Sequence, residues 1–195
     1  MADVPEDDKI PVEIEMFVAG LVLDPSSNAP IVVLKNTDGD TCLPIWIGLA
    51  EATAIASALK KLELVRPMTH DLLKNIIDDL GGRVVKVLIS ELQENTFIAN
   101  IEVVVGNVVK TIDARPSDAI ALAVRTDAQI MVAEEVLEQA QVTLVSVGTS
   151  EDGEEEFEVL SGDDEPRSAN FANIDKEKWE EILAEMDPDD FKYKM

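Results

Sequence analysis

At 195 residues, with 46% hydrophobic and 29% charged side chains, the chain carries enough apolar material to order a sizeable core, which excludes a wholly disordered polymer and favours one domain with an appendage. The formal charge of −24 is uneven: residues 1–15 carry −5, residues 16–146 carry −7 and residues 147–195 carry −12, a field that repels polyphosphate and counts against avid nucleic-acid binding. The longest nearly apolar run, Met16 to Leu23, falls short of the roughly 18 residues of a membrane span, the first residues are acidic, and Cys42, the only cysteine, allows no intrachain disulfide, so the expectation is a soluble, cytoplasmic protein without a membrane association.

Glu13 to Leu23 is apolar at Ile14, Met16 and Val18 and then almost continuously, as in a strand entering a core. Asp24-Pro25-Ser26-Ser27-Asn28 ends it. Ile31 to Leu34 and Cys42 to Ile47 are β-rich runs around Asn36-Thr37-Asp38-Gly39-Asp40, so the opening reads as a β-meander, with Cys42 a small buried hydrophobe. From Gly48 to Leu62, apolar residues recur at three- and four-residue steps and predict a helix. After Pro67, Thr69 is the expected cap of a second helix with Leu72, Leu73, Ile76, Ile77 and Leu80 in one stripe, stopped by Gly81-Gly82.

Val84 to Leu92, Thr96 to Val105 and Val108 to Ile112 are β-branched runs separated by Glu94-Asn95 and Gly106-Asn107, and predict three consecutive antiparallel strands. Ser117 is the expected cap of a helix through Arg125. A short strand, Gln129 to Ala133, and a helical stretch, Glu134 to Ala140, follow. The interleaving predicts an α+β fold with a mostly antiparallel or mixed sheet and packed helices. The expected division is an acidic arm over 1–12, a compact domain over 13–146, an acidic linker over 147–169 and an amphipathic helix within 170–195, built on Ile174, Trp179, Ile182, Leu183 and Met186.

Polar residues concentrate at two places. In Arg66-Pro67-Met68-Thr69-His70-Asp71, helix-start amides and Arg66 could hold a phosphate, and His70, the only histidine, could transfer a proton near neutral pH; equally, the segment could merely cap and orient its helix. In Asp113-Ala114-Arg115-Pro116-Ser117-Asp118, the two aspartates could ligate a hard divalent cation such as magnesium, leaving Arg115 for a phosphate oxygen, or Asp118 could be a first-turn acid paired to Arg115 with no ligand. Glu51, beside Trp46, would complete a carboxylate cluster if the fold brought it near. Asp78 and Asp79 read as a solvated helix end. No phosphate-cradling glycine loop, zinc spacing, HExxH helix or GxSxG elbow is present.

Three ordered motifs, Leu43-Pro44-Ile45-Trp46-Ile47-Gly48 with Glu51-Ala52, Arg66 to Leu73, and Ile112 to Ala123, together resemble the bifunctional nuclease (DNase/RNase) domain family, formerly a domain of unknown function, over about residues 13 to 142. The resemblance implies hydrolysis of DNA and RNA phosphodiesters, with Glu51, His70, Asp71, Asp113 and Asp118 as catalytic candidates and Arg66 and Arg115 as phosphate-binding candidates. On that expectation the arginines meet phosphate, the carboxylates a metal or water (Asp113 and Asp118 for the metal), and His70 moves a proton. The sequence departs from the family at Glu94-Asn95-Thr96-Phe97-Ile98, where a glycine turn and an aromatic in place of Ile98 are usual, and it has neither a basic patch nor interleaved aromatics. The competing expectation is a non-catalytic binding or regulatory module, acting as a homo-oligomer or through a tail helix that meets a protein partner or sister subunit.

Overall fold

The computed structural model describes residues 11–24, 27–37, 41–62 and 64–140 in full, and the backbone of 142–149 and 155–160. Strand β1 (Glu13–Leu23) pairs antiparallel with β2 (Pro30–Asn36), and β2 with β3 (Thr41–Trp46), giving the expected opening meander. Helices α1 (Leu49–Leu59) and α2 (Thr69–Asp79) follow. A second meander comes next: β4 (Gly82–Gln93), β5 (Thr96–Val105) and β6 (Val108–Ala114). Glu94 and Asn95, the two residues between β4 and β5, both take positive φ, +48° and +62°, which supplies the twist that a two-residue hairpin needs without a glycine.

Helix α3 (Pro116–Thr126) then crosses to β7 (Gln129–Ala133), which is followed by α4 (Glu134–Ala140). β7 inserts between the meanders, antiparallel to β1 and parallel to β4; among the described pairings this is the parallel one. The seven strands run in the order β6-β5-β4-β7-β1-β2-β3, so the fold is α+β with a mixed sheet. Beyond β3, β8 (Val142–Thr149) and β9 (Glu155–Leu160) extend the same edge. β9 lies where an acidic linker is expected from composition; Phe157 and Val159 alternating with Glu156 and Glu158 carry the strand period that the acidic average conceals. Residues 1–10 of the expected arm over 1–12, and the tail helix expected within 170–195, lie outside the described residues.

The core gathers Val32, Leu34, Leu43 and Ile45 from the first meander, Val87, Ile89, Ala99 and Ile101 from the second, and Ile55 from α1. At its centre is α3, whose residues Ala119 to Ala123 are all buried while α1, α2, β4 and β5 pack around it. Full burial of an Ile or Leu contributes about 1.5–3 kcal/mol, and the small side chains of Ala119, Ala121 and Ala123 let α3 approach its neighbours closely. Cys42 is fully buried, as expected.

The expected apolar stripe on α2 is present and largely uncovered. No residue of α2 is buried: Ile77 is half-buried, and Leu72, Leu73, Ile76 and Leu80 are exposed. Helical periodicity reveals that one face is apolar but not that anything covers it. Among the described residues, no helix is long and apolar enough to cross a membrane.

Candidate functional site

Three helices begin close together, and their first turns carry the polar residues singled out above. Gly48 precedes α1, and Glu51 is its first-turn acid. At α2 the N-cap is Met68 instead of Thr69, and the Asp71 carboxylate in the first turn reaches back to accept the Met68 amide at 3.0 Å. At α3 the N-cap is Arg115 instead of Ser117, because Pro116 takes the first helical position, where a missing N–H costs nothing, and Ser117 is drawn into the buried first turn.

The three starts are tied by a continuous run of charged contacts. Arg115 Nη1 is 3.0 Å from Glu51 Oε1. Its Nε donates to Asp118 Oδ2 at 2.7 Å, and its Nη2 to Asp118 Oδ1 at 3.2 Å. His70 Nε2 lies 3.0 Å from Asp118 Oδ1. A carboxylate only accepts, so Nε2 carries the proton in this bond and Nδ1 is left as the ring nitrogen that can receive one. Burial acts to raise Asp118, but the hydrogen bonds from Arg115 and then His70 outweigh it and hold the carboxyl below its usual range. The bonds from Asp118 and then Glu51 strengthen the protonation of Arg115.

The members of this run differ in access to solvent. The Arg115 side chain is 66% exposed, Asp118 and Glu51 are half-buried, and His70 is only 11% exposed. Arg115 is thus the group an anionic ligand meets first, and it is already oriented by two carboxylates. Three helix N-termini add their positive ends to the same region.

Sequence-adjacent Asp71 goes elsewhere. Its Oδ1 accepts from Arg125 Nε at 2.6 Å, and Arg125, 6% exposed, also donates to the Ala121 carbonyl and to Ser57 Oγ. Burial acts to raise Asp71, but the Arg125 and Met68 hydrogen bonds prevail and lower it. Asp71 therefore fastens α2 to α3 and lies apart from the Arg115 run. Arg66 is exposed and forms no hydrogen bond or ion pair among the described residues.

Asp113 pairs in register with Asn100, on the sheet face opposite buried Ala99 and Ile101, whereas Ala114 faces the core. It therefore stands away from Asp118, and these two side chains do not assemble the magnesium pair expected from their spacing. Among the described residues, no three His, Cys, Asp or Glu side chains are grouped to hold a metal. Glu51 and Asp118 are each engaged by Arg115, so this donor set does not fit a resident cation.

Two contributions have little or no local signal in the sequence. Gly48 is in ordinary extended backbone, but a Cβ there would overlap Glu51 Oε2, so the missing side chain makes room for the carboxylate. A groove of about 390 Å³ opens beside Glu51 and Arg115, lined also by Trp46, Asn95 and Phe97, so two aromatics from distant strands meet at the charged cluster.

Residues 32–145 match the sequence model of the bifunctional nuclease domain. An uncharacterized protein of Mycobacterium tuberculosis (strain CDC 1551 / Oshkosh) is 37% identical over 178 residues, 91% of this chain and 98% of its own length. Bifunctional nuclease 2 of Oryza sativa subsp. japonica is 32% identical over 111 residues, 55% of this chain and 34% of its own. Bifunctional nuclease 1 of Arabidopsis thaliana is 31% identical over 107 residues, 53% of this chain and 33% of its own.

Proposed function

The chain belongs to the bifunctional nuclease domain family, and from that premise we propose that it hydrolyses phosphodiester bonds of DNA and RNA at the Glu51–Arg115–Asp118–His70 run. The observation that carries this reading is Arg115 itself, an exposed guanidinium held between two carboxylates at the meeting point of three helix starts. Such a group is pre-oriented for a phosphate oxygen and for the charge that builds on phosphorus in the transition state. In the proposed step water adds to phosphorus and the bond to the leaving oxygen breaks. Glu51 takes the water's proton; His70, entering the step protonated on both ring nitrogens, gives its Nδ1 proton to the leaving oxygen, and the proton on Glu51 is returned to Nδ1 through solvent. Asp118 holds Arg115 and His70 in place at once, so the phosphate clamp and the proton donor share one support.

The test is cleavage of single-stranded RNA and DNA by the purified chain. Arg115→Ala is expected to lower kcat/KM by about 100-fold with the thermal midpoint nearly unchanged, since the side chain is largely in solvent. Absence of cleavage by the wild-type chain, or undiminished cleavage by Arg115→Ala, would overturn the reading and leave the non-catalytic binding or regulatory module in its place. Gly48→Ala probes the same cluster without touching a charge. The backbone there accepts alanine, so stability should hold, while the displaced Glu51 carboxylate should reduce kcat by about tenfold, part of the 10²–10⁴ range of acid–base contributions.

A further inference from the structure

The groove beside Glu51 and Arg115 contains an aromatic that the hydrolytic step does not use. Trp46, the last residue of β3, is 55% exposed, an uncommon position for so large an apolar ring. It is nonetheless fixed, because its ring nitrogen donates to Asp24 Oδ2 at 3.1 Å, at the end of β1. Phe97, at the start of β5, lines the same groove and is anchored against the core. Two aromatics carried by separate meanders thus converge within one hollow whose charged end is Arg115, in a chain with only eight aromatic residues.

We infer that this groove is a subsite for one unpaired nucleobase, stacked on Trp46, next to the phosphate held by Arg115; the substrate class is therefore single-stranded nucleic acid. The inference rests on the phosphodiesterase reading for the identity of the ligand. Its physical basis is separate. A π-face accepts any base, but only one withdrawn from a duplex stack, so paired strands cannot fill the groove without unpairing. Stacking also needs no net positive charge, which suits a chain at −24 where phosphate attraction is weak.

Trp46 and Trp179 are the two tryptophans, so full-length Trp179→Phe reports Trp46 alone. Its fluorescence should be quenched by a short single-stranded oligodeoxynucleotide, and not by the same strand annealed to its complement or by an abasic strand of equal length. In the cleavage assay Trp46→Leu should raise KM about tenfold with kcat nearly unchanged, and Trp46→Phe should recover part of the loss. Equal quenching by the abasic strand, or an unchanged KM in Trp46→Leu, overturns the base subsite. The two readings separate cleanly: quenching without any cleavage sinks the hydrolase and keeps the subsite, whereas cleavage without quenching does the reverse.

Discussion

Asp118→Asn is expected to lower kcat/KM for phosphodiester cleavage by at least about 100-fold, the largest effect of any single change in the charged run. The aspartate accepts two bonds from Arg115 and one from His70, so a neutral amide removes the charge that aligns the guanidinium and presents N–H groups where only acceptors fit. Stability should change little, because the carboxylate is only partly buried and its pair with Arg115 is screened by water. Circular dichroism melts alongside initial cleavage rates check both halves. A variant that melts normally and cleaves at the wild-type rate would remove Asp118, and with it the shared support for Arg115 and His70, from the mechanism.

Asp71→Asn should behave in the opposite way, with a stability loss of ~2 kcal/mol at neutral pH and any activity loss following from unfolding. Arg125 is 6% exposed and Asp71 is its carboxylate partner, so the substitution leaves a buried cation held by the Ala121 carbonyl and Ser57 alone. Breaking a fully buried pair costs about 3–5 kcal/mol, and the lower figure reflects the 35% of Asp71 that remains in solvent. The pH dependence follows from the lowered carboxyl of Asp71. Because the folded value lies below the unfolded one, the stabilisation is complete above the ordinary carboxylate value of about 3.9 and is lost as pH falls through the folded value. Urea midpoints at neutral pH and in the acid range below that value should show the gap between wild type and Asp71→Asn closing in acid; a gap that stays constant would refute the assignment.

Most of the scaffold can be read in the residues. The limits of β1, Glu13 to Leu23, follow from alternation, and both meanders follow from β-branched runs between turn residues. The parallel insertion of β7 is not legible, since strand order is a long-range property that no local period encodes. At the site, the motif residues sit at helix starts, and bringing those starts together joins Glu51, His70, Arg115 and Asp118. Successive helical residues point about 100° apart, so His70 and Asp71 meet different residues of α3, Asp118 and Arg125; the sequence does not reveal which one faces Asp118. The outward direction of Asp113 was available from parity, because Ile112 and Ala114 flank it with apolar side chains in a strand. Arg125 gave only a faint hint, a charge in the last turn of a helix that is apolar from Ala119 to Val124, with its partner 54 residues earlier.

The position of β7 between the two meanders also governs when the sheet can close. Glu51 and His70 belong to helices that follow the first meander, while Arg115 and Asp118 open the crossover that leaves the second. A ribosome releasing this chain from its N-terminus emits both early partners long before the crossover, and the sheet halves lock only once residues 129–133 have emerged. The two strand groups flanking β7 are therefore joined into one sheet only when nearly the whole domain has been made.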